Sequence, residues 1–459
     1  MSNSKKYFGT DGIRGTANKP PMTAGFAMKV AMATAHVLGQ EHKSMGRVVI
    51  GKDTRLSGYM LEQAMASGFV AMGVDVIRTG PIPTPAVARL TTTLRADVGI
   101  MISASHNPYQ DNGIKIFGGD GYKLSDEIEA KIEQAIDSDL ETLLPPADMI
   151  GKATQFDDSS GRYIEYLKRS FKNPNAPDQT LNGLKIVVDC AHGAAYKVAP
   201  KLLWELEAEV ISIGDKPSGK NINNGFGATA TQALQDKVVQ ESADIGLALD
   251  GDADRLIVVD EKGQVVDGDQ IMGLLAVAKK QQGFLNKNTI VSTQMSNLGL
   301  EIFLKEQGIA LERTVVGDRY VVERMREGGF NIGGEQSGHL ILSDFGTTGD
   351  GLLAGLQILS ILKESGKKSS ELCHVFDPYP QVLKNVRYTQ EMPLEEPSVA
   401  DSITESQEML KDIGRVLVRS SGTEPLIRVM AEGQDLALVN KAVDHICAAL
   451  YQGGAELAA

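Results

Sequence analysis

Short apolar runs that alternate with stretches of helical periodicity are the feature that most limits the fold of this 459-residue chain. The runs are nearly continuous and rich in β-branched residues, which is typical of strands buried on both faces of a sheet. Strands are predicted at Val48–Ile50, Val98–Ile102, Ile186–Val188 and Ile245–Leu249, and helices at Leu61–Met72 and Ile128–Ile136. This alternation of strands and helices predicts an α/β protein.

The recurrence of the pattern predicts several related domains. A strand followed by a loop recurs near Val48, Ile186 and Ile290, which indicates repeated α/β units rather than a short-period solenoid. Beyond the Lys-, Ser- and Gly-rich stretch 363–370, strands are predicted at Val382–Tyr388, Val416–Arg419 and Leu426–Ala431, and a helix at Leu436–Leu450. We therefore predict α/β domains over 1–157, 158–255 and 256–370, and an α+β domain over 371–459.

The composition excludes several classes of protein. Lys and Arg number 46 and Asp and Glu 59, so the net charge is 46 − 59 = −13, which disfavours a nucleic-acid partner. The 3 cysteines show neither zinc-site spacing nor a disulfide framework. No window approaches the roughly 18 apolar residues of a membrane span, and the first residues lack an apolar leader segment. We expect a cytoplasmic protein with no membrane partner.

Ser105 is the first candidate for chemistry. An apolar strand leads into Ser103-Ala104-Ser105-His106-Asn107-Pro108, and Lys115 follows in the same segment. Loops at the carboxyl ends of strands are where α/β sheets place ligands. A serine there, close to a cation, can act as a nucleophile or carry a phosphate. A plain polar turn at the end of the strand is the alternative.

Three aspartates at alternate positions form the second candidate. Asp250, Asp252 and Asp254 follow a buried strand, with small residues between them and Arg255 next. Three like charges in five residues are costly without a cation, and ligands that are all oxygen favour Mg²⁺. The spacing is not that of an EF-hand. A solvated acidic turn is the alternative.

Two further loops offer polar groups for a sugar phosphate. In Gly333–His339, an extended backbone would place Glu335, Ser337 and His339 on one face, suited to vicinal hydroxyls. In Arg419-Ser420-Ser421-Gly422-Thr423-Glu424-Pro425, followed by Arg428, hydroxyls, backbone N–H groups and two arginines predict a phosphate cradle that is not a P-loop. A glycine-rich loop and a hairpin turn are the respective alternatives.

Two single cations complete the candidate set. Arg14 lies in Gly9–Gly15, and Arg319 lies in the predicted loop Gly317–Tyr320. An acidic protein that binds anions must gather its cations locally. Arg14, Lys115, Arg255, Arg319, Arg419 and Arg428 all fall in candidate loops and meet that condition.

In this order along the chain, these segments resemble the α-D-phosphohexomutase superfamily. The similarity extends from Gly9 to Arg428. The segments most similar to bacterial phosphoglucosamine mutases are KYFGTDGIRG, ISASHNPYQDNGIKIF, GEQSGH and RSSGTEPLIRVM. The resemblance implies four domains around a central cleft: three related α/β domains and a C-terminal domain like the TATA-binding protein. It also implies a possible homodimer and a product that feeds UDP-N-acetylglucosamine and cell-wall precursor synthesis.

The resemblance also implies a role for each candidate residue. Ser105 would be the phosphoserine, and Asp250, Asp252 and Asp254 would hold one Mg²⁺ per subunit together with its phosphate. Lys115, Arg14 and His339 would lie near the reacting oxygens. Substrate contacts would come from Glu335 and Ser337, which would bind sugar hydroxyls, and from Arg255, Arg319, Arg419, Ser421, Gly422, Thr423 and Arg428, most of them on phosphate.

The chemistry implied is phosphate transfer between C6 and C1 of glucosamine phosphate through glucosamine 1,6-bisphosphate, which would be both intermediate and activator. Inert phosphate monoesters require strong positioning and charge neutralisation. Three alternatives stay open at this point. A sister mutase of glucose or mannose phosphates would use the same hydroxyl contacts, a metal-dependent phosphatase would need no distal cradle, and a non-catalytic sensor would not need the serine or the triad.

Overall fold

The computed structural model describes residues 6–41, 46–171, 179–388, 394, 396–411, 413–420, 426–452 and 455–457. The chain divides into two compact units. One consists of Met1–Thr293 and Thr314–His374, and the other of Gln294–Arg313 and Val375–Ala459. Among the described residues, no helix combines the length and the apolar character needed to cross a membrane.

The strands are short and follow one another at regular intervals along the chain. They are β1 Phe8–Gly9, β2 Gly12–Thr16, β3 Arg47–Lys52, β4 Asp75–Pro81, β5 Val98–Ile102, β6 Asp111–Gly118, β7 Ala153–Gln155, β8 Lys185–Asp189, β9 Glu209–Ile213, β10 Ile245–Leu249, β11 Leu256–Asp260, β12 Val265–Val266, β13 Thr289–Thr293, β14 Ala310–Thr314, β15 Ile332–Gly334, β16 Leu340–Leu342, β17 Gln381–Tyr388, β18 Gly414–Ser420, β19 Leu426–Gly433 and β20 Ala455–Leu457.

The helices lie between these strands. They are α1 Ala24–Glu41, α2 Leu56–Ala71, α3 Thr84–Thr93, α4 Asp126–Ile136, α5 Ser159–Phe171, α6 Val198–Glu205, α7 Gln232–Glu241, α8 Gly268–Gln281, α9 Leu298–Glu306, α10 Asp318–Gly328, α11 Gly351–Ser365, α12 Ser369–Leu372, α13 Pro397–Leu410 and α14 Leu436–Gln452. Each strand and helix predicted above from the apolar pattern is confirmed, with ends that differ by a few residues.

The first sheet has the strand order β1-β2-β6-β5-β3-β4-β7. Its centre is parallel, with Val48 of β3 in register with Val76 of β4 and Val98 of β5. Every residue of β5 is buried, as its unbroken apolar run predicts. The chain leaves β5 at its carboxyl end, so that end of the sheet carries the Ser103–His106 loop.

The second sheet has the order β12-β11-β10-β8-β9. Strand β10 is parallel to β8 and antiparallel to β11, where Leu249 pairs with Leu256. The three aspartates therefore lie in the turn of a hairpin between two buried strands. The domain boundary predicted after Arg255 is wrong in this respect, because it cuts this hairpin and divides one sheet between two domains.

Strands β3 and β8 end in the same way, which supports the prediction of related α/β units. Asp53 follows β3 and its Oδ1 accepts the N–H of Arg55 at 2.9 Å. Asp189 ends β8 and its Oδ1 accepts the N–H of Ala191 at 2.9 Å. Each aspartate thus turns the chain away from its sheet by the same local bond.

Strands β13 and β15 run parallel, and β15 pairs antiparallel with β16, with Gly334 opposite Leu340. The Glu335–His339 segment connects this last pair. It is a tight turn, closed by the N–H of Gly338 on the carbonyl of Glu335 at 2.9 Å. The prediction of an extended backbone here is wrong, because Gly338 has a φ of 88°, and a Cβ there would lie 2.1 Å from the carbonyl oxygen of Leu256.

The second compact unit contains an antiparallel sheet of order β18-β19-β17-β20. Helices α13 and α14 share a core with it, formed by residues such as Val386, Val399, Val429 and Val443. The α+β pattern predicted for the end of the chain is therefore confirmed. The same unit contains α9 and most of β14.

Candidate active site

Ser105 is held in an unusual backbone conformation beside a carboxylate. It is 1% exposed and has a φ of 50°, a backbone angle that residues other than glycine rarely adopt. Its Oγ donates to Asp250 Oδ2 at 2.6 Å, and the ring Nδ1 of His106 lies 3.4 Å away. Its N–H donates to Ser103 Oγ at 2.9 Å. The hydroxyl is thus aimed at the aspartate turn.

Arg55, which the sequence analysis did not select, shapes the loop that carries Ser105. Its guanidinium is fully buried and donates to the carbonyl oxygens of Ser105 and Asn107 at 2.8 Å each and of Asp111 at 2.9 Å. Asp53 Oδ2 accepts from Arg55 Nε at 2.7 Å and from Ser103 Oγ at 2.7 Å. This network fixes both ends of the loop.

Asp250, Asp252 and Asp254 converge as predicted. One oxygen from each lies within 4.8 Å of the others, and all three side chains are buried. Burial, followed by the charges of Asp254 and Asp252, raises the pKa of Asp250 well above its usual range. Burial alone would raise the pKa of Asp254 as well, but Lys115 and His339 hold it well below that range. The crowding of like charges is therefore only partly relieved within the chain.

Lys115 provides the nearest positive charge. Its Nζ lies 2.9 Å from Asp252 Oδ2, 3.0 Å from Asp254 Oδ2 and 3.2 Å from Asp11 Oδ2. Burial alone would lower the pKa of Lys115, but these carboxylates raise it well above its usual range. We call Ser105, Lys115 and the three aspartates the serine–aspartate centre.

His339 and a second lysine extend this network. His339 Nδ1 lies 3.7 Å from Asp254 Oδ1, and its Nε2 lies 3.5 Å from Asp318 Oδ2. Burial alone would lower the pKa of His339, but Asp254 and Asp318 raise it. Lys123 Nζ contacts Asp318 Oδ2 and Asp11 Oδ1 at 2.5 Å each. Asp11, Lys123 and Asp318 thus connect the surroundings of Lys115 and His339.

The three predicted arginines of the first unit differ in their surroundings. Arg14 forms an ion pair with Asp11, and its Nε is buried without a hydrogen-bond partner among the described residues. Arg255 donates its backbone N–H to Asp250 Oδ1 at 3.1 Å, while its guanidinium Nε lies 4.0 Å from Asp254 Oδ1. Both arginines therefore lie beside the serine–aspartate centre.

Arg319 does not reach this centre. It lies in the first turn of α10 rather than in the loop predicted for it, and its guanidinium forms ion pairs with Asp126 and with Glu129 of α4, the latter at 2.5 Å. The loop prediction is wrong because Gly317 ends the turn and α10 begins at Asp318. The role of Arg319 in substrate binding stays a prediction.

Glu335 and Ser337 lie at the exposed side of their turn. Ser337 Oγ donates to Glu335 Oε2 at 3.3 Å. His339 comes after the turn and is buried, and its backbone pairs with that of Arg255 in an isolated bridge. This bridge joins the turn of Glu335 to the turn of the three aspartates.

In the second unit, Arg419 and Arg428 lie opposite each other on β18 and β19. Each has a buried Nε without a hydrogen-bond partner among the described residues. Burial and the charge of Arg428 lower the pKa of Arg419. We call these two residues the arginine pair. Ser421, Gly422 and Thr423, predicted for the same cradle, lie outside the described residues.

The residues that the sequence analysis missed carry weak local signals. Asp53 and Arg55 stand in Gly51-Lys52-Asp53-Thr54-Arg55, directly after a buried strand, as Ser103 and Asp250 do. Thr84 donates to Asp252 Oδ2 from the start of α3. Asn223 donates to the Ser105 loop from a segment of Asn and Gly that reads as an ordinary turn. A search for polar residues at every strand end would have found Asp53.

A buried serine beside a triad of aspartates, on α/β sheets of this topology, defines the class of phosphohexomutases. Family models of phosphoglucomutase/phosphomannomutase match the chain with alpha/beta/alpha domain I at 5–142, domain II at 161–263, domain III at 267–379 and the C-terminal domain at 383–449. A phosphoglucomutase/phosphomannomutase family protein from Burkholderia thailandensis has a similar structure, with a TM-score of 0.80, 25% identity and 98% of each chain covered.

Curated relatives identify one family within this class of phosphohexomutases. The phosphoglucosamine mutase of Zymomonas mobilis subsp. mobilis is 59% identical over 445 residues, 97% of this chain and 98% of that protein. The phosphoglucosamine mutase of Sphingopyxis alaskensis is 58% identical over 448 residues, 97% of this chain and 99% of that protein. The chain therefore belongs to the phosphoglucosamine mutase family of the α-D-phosphohexomutase superfamily.

Proposed function

We propose that this enzyme interconverts glucosamine 6-phosphate and glucosamine 1-phosphate with Ser105 as the phosphate carrier. The observation that carries the proposal is the 2.6 Å contact between Ser105 Oγ and Asp250, at the edge of three converging buried carboxylates. Relatives named phosphoglucosamine mutase, 56–59% identical over nearly the full chain, support the choice of sugar.

The three aspartates fit a divalent cation. Three carboxylates and one ammonium, that of Lys115, leave an excess of negative charge in a buried turn, and Asp252 Oδ1 is buried without a hydrogen-bond partner among the described residues. An all-oxygen donor set is the one that Mg²⁺ prefers. We propose that Asp250, Asp252 and Asp254 hold one Mg²⁺ per subunit together with the Ser105 phosphate. When bound, the ion would neutralise charge on the transferring phosphoryl group.

The reaction has two phosphoryl transfers. In the first, the O1 hydroxyl of glucosamine 6-phosphate attacks the phosphorus on Ser105, the bond from phosphorus to Ser105 Oγ breaks, and the hydroxyl proton leaves to a nearby base. The 1,6-bisphosphate then turns over in the site. In the second, Ser105 Oγ attacks the phosphorus on O6, the bond from phosphorus to O6 breaks, and O6 takes up a proton, so glucosamine 1-phosphate leaves and the phosphoserine is restored.

Residues around Ser105 would assist both transfers. Lys115 and Arg14 would stabilise the charge that builds on the phosphoryl oxygens, because both cations already lie among the acids of this site. The N–H of Gly349 donates to His339 Nε2 at 3.2 Å and orients the ring, so that Nδ1 lies 3.7 Å from Asp254 Oδ1. His339 would exchange the hydroxyl proton. A buried site also keeps water from the phosphoserine.

The remaining predicted residues would bind the parts of the substrate that do not react. Glu335 and Ser337 present a carboxylate and a hydroxyl at the exposed side of one turn, which suits vicinal sugar hydroxyls. We propose that the arginine pair, with Ser421, Gly422 and Thr423, grips the distal phosphate, and that Arg255 and Arg319 add further contacts. The arginines lie on neighbouring strands, and each has a buried Nε without a hydrogen-bond partner in the part of the chain that the structure describes, which supports this proposal.

Several features of the cellular setting are also proposals. We propose glucosamine 1,6-bisphosphate as activator, a homodimer, a cytoplasmic location and a product that enters UDP-N-acetylglucosamine and cell-wall precursor synthesis. Light scattering in solution tests the homodimer, and a dependence of the first turnover on added bisphosphate tests the activator.

Phosphorus NMR of the purified protein with Mg²⁺ and glucosamine 6-phosphate tests the function, with Ser105→Ala as control and glucose and mannose 6-phosphates beside it. A 1-phosphate signal that appears fastest from the glucosamine substrate and disappears in the control is expected. Faster conversion of a glucose or mannose phosphate would change the substrate. Release of inorganic phosphate alone would make the protein a phosphatase.

A further inference from the structure

Asn223 contacts the Ser105 loop from a turn in a different part of the chain. It lies between β9 and α7, in the part of the chain that also carries the three aspartates. Its Nδ2 donates to the carbonyl oxygen of Ser105 at 2.9 Å and to that of Asn107 at 2.9 Å. Both protons of the side-chain amide are therefore used on the loop.

The same two carbonyl groups also accept from Arg55. The guanidinium reaches Ser105 O and Asn107 O at 2.8 Å each. A carbonyl oxygen has two lone pairs, so each of these oxygens is fully occupied by one donor from each side. The backbone on both sides of His106 is thereby fixed, and with it the direction of Ser105 Oγ.

Asn223 and Arg55 differ in what they connect. Arg55 follows β3, in the same sheet as the loop, whereas Asn223 belongs to the chain segment of the second sheet. The aspartate turn packs directly on this contact, since a Cβ on Gly251 would lie 2.5 Å from Ser105 O and 2.9 Å from Asn223 Nδ2. Asn223 therefore ties the serine loop to the turn that carries the carboxylates.

The backbone at Asn223 explains why asparagine stands there. Its φ is 60°, a left-handed conformation that asparagine and glycine tolerate best, and its N–H donates to the carbonyl of Ala191 at 2.9 Å. Glycine would fit the same backbone but would remove both side-chain donors. Aspartate would keep the shape but would present oxygen to two carbonyl oxygens.

We propose that Asn223 is a positioning residue that holds phosphoserine 105 against the carboxylate turn, so that its phosphate passes to a sugar hydroxyl and not to water. The inference deepens the proposed function and rests on it. In the competing step, a water oxygen attacks the phosphorus, the bond to Ser105 Oγ breaks, and one water proton ends on that oxygen. Inorganic phosphate is then released, and the serine hydroxyl is restored.

The test compares Asn223→Gly with Asn18→Gly in the full chain with Mg²⁺. Asn18 is exposed and has a φ of 61°, so the control makes the same change in the same backbone conformation away from the loop. Three quantities are measured: kcat and KM for glucosamine 6-phosphate, the inorganic phosphate released per sugar product, and the thermal midpoint. Asn223→Asp is measured beside them.

In Asn223→Gly we expect kcat to fall about tenfold, KM to change less than about twofold and phosphate release per turnover to rise about tenfold, because small misplacements are costly in group transfer. Asn223→Asp should lose at least as much, and Asn18→Gly should match the wild type. If a folded Asn223→Gly protein released the same amount of inorganic phosphate per sugar product as the wild type, the inference would be overturned. Wild-type protein without mutase activity would instead overturn the proposed function.

Discussion

The serine–aspartate centre and the arginine pair are both built from like charges, but they balance those charges differently. In the centre, Lys115 contacts two of the aspartates at 2.9 and 3.0 Å, and Ser105 and Thr84 donate to Asp250 and Asp252. In the arginine pair, two guanidinium groups face each other across neighbouring strands, each with a buried Nε that has no hydrogen-bond partner among the described residues.

The difference indicates what each region binds. In the centre, Lys115 balances only part of the charge of the three carboxylates, and what is lacking is roughly the charge of one divalent cation. The arginine pair has a net positive charge, and like charges directly opposite each other in a sheet are destabilising. A phosphate dianion would convert that repulsion into two charge-assisted bonds. The first region is therefore expected to hold its geometry without substrate, and the second to gain most of its stabilisation from substrate.

The largest effect is expected from Asp252→Asn. Loss of one carboxylate removes a cation ligand and a partner of Lys115, so kcat should fall about 10³-fold. The rise in thermal midpoint caused by Mg²⁺ in the wild type should also disappear. Asp344→Asn is the control, because Asp344 pairs with Lys279 at 2.6 Å elsewhere in the same unit. A Mg²⁺ response that persists in Asp252→Asn would show that the cation binds elsewhere.

A smaller effect of a different kind is expected from Arg428→Gln. Weaker binding of the distal phosphate should lower kcat/KM about 10²-fold, mainly through KM, while the Mg²⁺ response stays intact. Without substrate the variant should be as stable as the wild type or more stable, because the repulsion with Arg419 is gone.

Arg387→Gln is the control for that comparison, since Arg387 is exposed on β17 of the same sheet. Steady-state kinetics and thermal melting with and without glucosamine 6-phosphate make the measurement. An Arg428→Gln protein that loses stability without substrate and keeps its KM would mean that the arginine pair is a structural feature.

Lys123→Met should lower kcat about tenfold, because Asp11 and Asp318 lose the cation between them and no longer hold Lys115 and His339 in place. Lys279→Met is a matched control, since the side chains of Lys123 and Lys279 are both 14% exposed and both are ion-paired. We expect the two variants to lose the same amount of stability and only Lys123→Met to lose kcat. Equal activity in the two variants would contradict a role for Lys123.

The smallest effect is expected from Asp189→Asn, which should change the pH dependence of stability and leave turnover unchanged. Burial raises the pKa of Asp189 to about 6, although the N–H groups of Gly227 and Ala191 act in the opposite direction. A carboxyl group with a raised pKa in the folded state stabilises the fold below its unfolded pKa, and this contribution is lost as the pH rises through about 6. The loss of stability amounts to about 3 kcal/mol. The arginine pair should show no such pH dependence, because arginines do not titrate in this range.

Hydrogen exchange of the β8 amides measures this effect between about pH 4 and pH 7. The wild type should lose protection relative to Asp189→Asn as the pH rises, whereas exposed Asp158→Asn should follow the wild type. The difference would show that the buried Asp189 carboxyl group contributes to the pH sensitivity of the first unit. A constant offset between wild type and Asp189→Asn would contradict it.

The sequence predicted the strands and the aspartate turn well because the signals are local. The buried run Ile245–Leu249 forms a strand, and three carboxylates directly after it share one turn. Arg55 and Asn223 could not be found in this way. Their partners are backbone carbonyls some 50 and 118 positions away in the chain. Every residue has a backbone carbonyl, so such a partner leaves no signal in the sequence.

The errors have equally physical causes. Glu335–His339 was expected to be extended, but the close approach of Gly338 to the carbonyl of Leu256 requires a turn. The predicted boundary at Arg255 followed a change in composition, whereas the sheet continues through the hairpin into β11. Arg319 lies in a helix, and its partners on α4 could not be inferred from the residues around it.

The central claim is that Ser105 carries the phosphate that the aspartate turn activates, and mapping of the phosphorylated peptide tests it most directly. The protein is loaded with glucosamine 1,6-bisphosphate and Mg²⁺, and a portion is then mixed with glucosamine 6-phosphate. The account predicts one phosphoryl group on Ser105 that passes to the sugar in wild type, and both loading and transfer slowed to the same extent in Asp252→Asn. A phosphate found on another residue, or one that leaves wild type only as inorganic phosphate, would contradict it.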